Sequence, residues 1–288
     1  MRRSCPSRAE FRSIPHSRRL IIHYAEAIWS DVELIRQSAP LVHNITNFVV
    51  MNTTANALLA IGASPVMAHA SQEVEEMTGL AGALVLNIGT LSVTWVDAMI
   101  LAGRQANSKA VPVVIDPVGA GATSFRDQSL QRILAAVRPS VIRGNASEIR
   151  ALRYAEKGTR GVDSSLTSDQ ALEAARALAE TLQCVICISG ATDVIVSPRE
   201  LICVSNGHPM MARVTGLGCT ATALIAAFSA VNPSPLHAAA HAMAVMGIAG
   251  EMAAVQSPGP GSLQMHFLDA LYMLRSGDIE SRLMLAVE

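Results

Sequence analysis

The sequence predicts one α/β domain, with a central, mostly parallel sheet flanked by helices. Three observations point there. Short apolar runs alternate with amphipathic helical stretches, the spacing expected of parallel strands buried on both faces. Half of the residues are hydrophobic, yet only 3% are aromatic. The core is therefore built of Ala, Val, Leu, Ile and Met, and Ala-rich helices lie close to a sheet. Finally, no linker rich in Pro or Ser and no internal repeat divides the chain, whose 288 residues suit one large domain.

Taken in order, the pattern predicts a first helix over 24–37 and a strand over 40–47 that closes in polar residues. Asn47 is placed to cap a helix over 49–61, which Gly62 ends. A short strand at 63–67, a helix at 73–81, a strand at 83–88 and a helix at 93–105 follow. The apolar run 111–115 ends in Asp116-Pro117. Residues 128–137 read as a helix and 140–142 as a strand. Ser147-Glu148 opens the next helix behind a capping Asn145. A loop near 158–165 leads to a helix at 168–181. Strands at 184–189, 194–196 and 200–204 stand so close together that they read as a hairpin edge added to the sheet. The last third is helical, at 219–230, 236–255 and 261–274.

Composition excludes several function classes. A net charge of −1 gives no global field for nucleic acid or an acidic membrane. Charged residues are 16% of the chain, below the usual quarter, so a large fraction is buried, as an oligomer interface would provide. No apolar run reaches the ~20 residues of a membrane span. The longest, 236–255, carries His237, His241 and Glu251 and reads as a buried helix. Five cysteines do not make a disulfide framework in a chain this long. Cys184, Cys187 and Cys203 sit in strand-like runs as reduced, buried thiols do, which indicates a reducing, cytoplasmic compartment. The Arg- and Ser-rich start has the composition of a transit peptide, but its arginines show no amphipathic face. Residues 1–22 therefore read as a disordered or processed leader and 23–288 as the domain.

In such sheets ligands collect at the carboxyl ends of the strands. The polar residues there are Asn44, Thr46 and Asn47; Asn87 and Gly89; Asp116; Arg143, Gly144 and Asn145; and Ser189 and Gly190. They are expected to converge on the stretch Arg213-Val-Thr-Gly216-Leu217-Gly218-Cys219, where the chain turns through two glycines into a helix of small residues. That stretch has two readings. It is a glycine turn before a packing helix, or it is an anion cradle built from the bare amides and dipole of a helix N-terminus. In the second reading Cys219 stands at the mouth, where a thiolate is favoured.

The familiar nucleotide motifs are absent. The two lysines, Lys109 and Lys157, do not follow a Gly, which excludes a Walker A loop, and Ser124 breaks the GxGxxG begun by Gly119 and Gly121. Phosphates would have to be held by Arg143, the amides of 216–219 and a metal. Asp116 and Glu148 are the natural pair for Mg²⁺, which takes one or two carboxylates plus phosphates and waters. Glu148 reads equally well as an acid in the first turn of a helix. Cys184 and Cys187 lie three apart on a strand and so face opposite sides of the sheet, which excludes joint metal binding. His237 and His241 have no nearby Glu to act as a base and read as surface or packing histidines.

At these residues the chain resembles the hydroxyethylthiazole kinases. The resemblance rests on His43-Asn-Ile-Thr-Asn47, Gly62-Ala-Ser-Pro-Val-Met67, Asp116-Pro-Val-Gly-Ala120, Arg143-Gly-Asn-Ala-Ser-Glu-Ile149, Arg160-Gly-Val-Asp163, Gly216-Leu-Gly-Cys219 and Gly259-Pro-Gly-Ser262. It runs in the family's order from about Pro40 to Leu274. It implies a ribokinase-like three-layer sandwich, ATP and Mg²⁺, and phosphorylation of the hydroxyethyl group of a methylthiazole for thiamine salvage. It also implies a homotrimer with active sites between subunits. Carried onto this chain, Met67 and Gly216 would meet the thiazole, and Arg143 and Ser189 the ATP. Cys219 occupies the place of the Asp base of related sugar kinases. Asn44 joins the substrate residues, Asn145 and Gly218 join the nucleotide residues, and Glu148 and Asp116 are assigned to the metal. Leu217 departs from the family's usual Thr, and Ser189 replaces a Thr found in many members. Two rivals follow. One is a kinase for a pyrimidine or pyridoxal alcohol, and the other is a catalytically silent nucleotide- or thiazole-binding subunit.

Overall fold

The computed structural model describes residues 18–156 and 168–287. The predicted alternation of strand and helix is present in it. Five strands form the parallel part of the sheet: β1 (Leu41–Ile45), β2 (Ser64–Val66), β3 (Ala83–Asn87), β4 (Val113–Asp116) and β5 (Val141–Asn145). A sixth, β6 (Val185–Ser189), runs parallel to β5. Then β7 (Asp193–Val196), β8 (Leu201–Val204) and β9 (Leu285–Val287) extend it antiparallel. Among the described residues the order is β2-β1-β3-β4-β5-β6-β7-β8-β9. The hairpin edge is thus as expected, and β9 is an addition that the sequence did not announce.

Alternation along the buried strands feeds two cores. Val42, Val85, Val114, Val185 and Cys187 face one side, while Ile45, Leu84, Leu86, Ile115 and Ile186 face the other. The first side is covered by α1 (Arg18–Ser38), α2 (Met51–Ile61), α8 (Leu217–Ser229), α9 (Pro235–Val255), α10 (Pro260–Met273) and α11 (Ser276–Arg282). The second is covered by α3 (Val74–Leu80), α4 (Val93–Ser108), α5 (Ser124–Ala136), α6 (Ala146–Glu156) and α7 (Ser168–Leu182). This is a three-layer sandwich. Cys184 and Cys187 fall in opposite cores, which keeps the two thiols from acting together. Both are free and buried, as expected of reduced thiols.

Several boundaries moved. The first helix reaches back to Arg18, and the rest of the expected leader lies outside the described residues, as do the 158–165 loop and the Arg160–Asp163 motif. Gly62 does close α2, but the residue before that helix is Val50, with no side-chain cap. Asn47 instead folds its side chain onto the Val49 amide and reaches into the site. The helix after the glycine turn starts at Leu217, two residues before the expected 219. Apolar α9 is long enough to cross a membrane by composition, but most of it is buried in the core. Its His241 is a packing residue, with Nδ1 2.6 Å from Asp31. The two ends of the domain are tied together. Arg36 on α1 donates to the carbonyls of Leu271, Tyr272 and Leu274 at the end of α10.

Candidate active site

Parallel register brings the strand ends to one level. Asn87 is paired with Asp116 across β3 and β4, and Asn145 with Ser189 across β5 and β6. Helix α8 packs over β1, β3 and β4 on the first face and aims its N-terminus at this rim. Gly216 stands before α8 with φ +85°, a left-handed conformation that a side chain resists. A Cβ there would also meet Val50 Cγ1 at 2.8 Å. Gly218 is needed for a different reason, since a Cβ on it would lie 2.8 Å from Arg143 Nη1. The two glycines therefore let the guanidinium sit against the first turn of α8.

Asp116 is the buried centre of the polar network. Its Oδ2 accepts from Asn87 Nδ2 at 3.1 Å and Thr222 Oγ1 at 2.8 Å, and lies 3.8 Å from Arg143 Nη1. Burial pushes its carboxyl up to about 6, against the opposing pull of Arg143 and Thr222, with Glu148 adding to the rise. Asn47 donates to Asn87 Oδ1 at 2.9 Å and to Cys219 Sγ at 3.5 Å, so the network ends on the thiol. Arg143 also donates to Ser189 Oγ at 2.5 Å. Burial first, and the Asp116 carboxylate second, push the Cys219 thiol up to about 11. That corrects the expectation of a lowered thiol. Cys219 is the third residue of a helix seated against an acid, and desolvation outweighs the dipole.

Glu148 is engaged at both oxygens, accepting from the Gly119 amide at 3.0 Å and the Asn145 amide at 2.8 Å. Asn145 Oδ1 in turn accepts from the Glu148 amide, which completes a capping box on α6. The helix-start reading of Glu148 is therefore realised. The metal reading finds one matching feature nearby, since Asp116 Oδ1 is buried without a hydrogen-bond partner. Among the described residues no group of three or more His, Cys, Asp or Glu could hold an ion.

A cavity of about 740 Å³ opens beside Arg143, Ser189 and Gly218. Met211, Met243 and Met246 also line it, as does Asp193 at the β6–β7 turn. Burial pushes the Asp193 carboxyl up to about 7, although the Gly190 amide donates to it at 3.0 Å. Leu217 lines the same cavity and is also part of the core, so this departure from the family is accommodated by packing. Asn44 is buried next to α8's face of the sheet, its amide donating to the Val42 carbonyl and its Oδ1 unpartnered. Met67 lies half-buried just past β2. Sequence reasoning missed Thr222, Asp193 and Arg126. Thr222 could have been found as a polar residue one turn into an apolar helix, and Asp193 as an acid opening a strand straight after Ser189-Gly190.

Residues 32–277 match the model of the hydroxyethylthiazole kinase family. The chain belongs to that family. A hydroxyethylthiazole kinase of Syntrophus aciditrophicus is 60% identical over 259 residues, 90% of this chain and 96% of that protein. One from Nitratidesulfovibrio vulgaris is 52% identical over 259 residues, 90% of this chain and 97% of that protein. The solved hydroxyethylthiazole kinase protein of Pyrococcus horikoshii superposes with a TM-score of 0.85 at 42% identity, covering 91% of this chain and 99% of that one. The hydroxyethylthiazole kinase family thus accounts for the ribokinase-like architecture, with its strand-end rim and glycine turn.

Proposed function

We propose that the chain transfers a phosphoryl group from ATP to the hydroxyl of methyl-hydroxyethyl-thiazole, giving the thiazole phosphate used in thiamine salvage. The observation that carries this reading is the seating of Arg143 against the α8 turn, with Cys219 and Asp116 on one side and the large cavity on the other. ATP enters the cavity, whose volume of about 740 Å³ suits a ligand of that size. Arg143, Ser189 and the amides of Gly218 and Cys219 hold its phosphates, with Asn145 at the rim. The alcohol lies between Gly216, Met67 and Asn44, with its hydroxyl against Cys219.

Phosphoryl transfer asks for positioning and charge stabilisation more than for covalent work. A thiol raised to about 11 is protonated at neutral pH. Cys219 therefore orients the alcohol and fits it against the anion cradle, and as a protonated thiol it is not the acceptor of the alcohol's proton. The orphaned Asp116 Oδ1, with Glu148 near enough to raise its carboxyl, suits Mg²⁺ arriving on the nucleotide. Held there by Asp116, the ion would supply charge neutralisation at the phosphate oxygens. The assembly we propose is a homotrimer with sites between subunits. Phe48 and Val49 support it, since both are more than 60% exposed and directly follow Asn47 of the site.

A coupled ADP-release assay with hydroxyethylthiazole tests the function, with hydroxymethylpyrimidine and pyridoxal in parallel. Turnover restricted to the thiazole alcohol is expected. Faster turnover of either other alcohol would reassign the substrate, and binding without ADP release would mean a silent subunit.

A further inference from the structure

Arg126 has no part in the reaction as described, yet its contacts all converge on the site. It lies in the first turn of α5, and among the described residues its half-buried guanidinium donates only to main-chain carbonyls. Nη1 reaches Ile88 O and Val118 O, both at 2.7 Å, and Nη2 reaches Gly89 O at 2.9 Å. One side chain therefore bridges the loop after β3 and the loop after β4. Its stem runs along Gly119, where a Cβ would come within 3.3 Å of Arg126 Cδ.

Those two loops carry the amides that aim the site's side chains. The Gly89 amide donates to Asn87 Oδ1 at 2.9 Å, and Asn87 holds both Asp116 and Asn47. The Gly119 amide donates to Glu148 Oε1. Arg126 therefore bears on the site through the position of these two loops. A planar fork with five donors can span three carbonyls in fixed geometry, and an ammonium cannot.

We propose that Arg126 is a positioning residue. By clamping the β3 and β4 loops together it fixes Asn87 and Gly119, and through them the placement of Asp116, Glu148 and Cys219. The claim deepens the kinase reading and rests on it for its kinetic arm. Arg126→Lys keeps the charge and loses the fork. Its kcat is expected to fall about 100-fold, the scale of a small misplacement at a reacting centre, with both KM values and the melting temperature unchanged. In Arg126→Ala, millimolar guanidinium should restore part of kcat where the same concentration of sodium chloride does not.

A second arm needs no substrate. Loosening the Gly89–Asn87–Asn47 chain should speed alkylation of Cys219 by iodoacetamide severalfold in Arg126→Lys relative to the parent. If the parent chain releases no ADP with the thiazole alcohol, the function reading falls and the alkylation arm alone decides the positioning claim. Parental alkylation in Arg126→Lys, a kcat loss that follows the melting temperature, or no response to guanidinium would each overturn it.

Discussion

Asp116 shows what one buried group costs and what it leaves for chemistry. Its carboxyl is raised from 3.8 to about 6 on folding, mainly by burial. The charged form is therefore penalised in the native state. That penalty is complete well above pH 6, shrinks as pH falls from 6 toward 3.8, and is gone below 3.8. At 1.36 kcal/mol per unit it amounts to about 3 kcal/mol. Asp116→Asn removes the charge at nearly constant shape, and it should raise the melting temperature at pH 8 by roughly 5–10 °C. The gain should be smaller at pH 5, and turnover should collapse at both. A lower melting temperature at pH 8 would mean that pairing with Arg143, and not burial, governs the residue. Cys219 gives a second pH test. With its thiol at about 11, the rate of alkylation should climb about tenfold per unit from pH 7 to pH 9, following the thiolate fraction. A plateau below pH 8 would show that the helix N-terminus prevails after all.

At the scale of elements, the start of α8 separates two uses of glycine. Gly216→Ala forces a side chain into the left-handed region and against Val50. It should cost about 1–2 kcal/mol for the conformation alone, and stability should fall together with turnover. Gly218→Ala sits in ordinary helix and meets only the tip of Arg143. Its melting temperature should hold, while ATP affinity falls about tenfold as a charge-assisted contact is displaced. Calorimetric titration beside thermal melts distinguishes the two. Legibility followed the same physics. Strands that are apolar on both faces, such as β3 with every residue buried, announce themselves. So do Gly-ended helices such as α2. The three-residue β9, the seven-residue α11 and the 3₁₀ turn Pro209–Arg213 went unread, since each is short and none sits in the strand–helix alternation that revealed the equally short β2 and α3. Of the site, the strand-end residues were legible because parallel topology sends them to one rim. Arg126 was not, because its importance depends on which loops lie across from it, and Thr222 left only the signal of a polar residue in an apolar helix. Asn47 looked like a cap because the sequence cannot show that Asn87 competes for its side chain.

The molecule as a whole leaves apolar groups to be covered. Phe48 lies with its ring centroid 4.8 Å from that of Trp95, tilted at 44°, yet is 65% exposed, and Val49 and Val93 are also exposed. This patch borders the Asn47–Cys219 contact, so an assembly that closes it would shield the site as well. With a chain mass of 30.4 kDa, light scattering should return about 90 kDa for a closed trimer. Phe48→Asp should shift that mass toward the single chain and reduce turnover with it. A monomeric parent at micromolar concentration would sink the proposed assembly.

The bonds from Arg36 to Leu271, Tyr272 and Leu274 also set a timetable. They link positions 235 to 238 apart in the chain. During synthesis α1 leaves the ribosome well before its anchor points do. At about 5–20 residues per second that interval is roughly 12–48 seconds. Through it the apolar face of α1, with Ala25, Ile28, Val32 and Ile35, has no closed domain to join. Until those carbonyls arrive, α1 lacks the three bonds that fasten it to the end of α10.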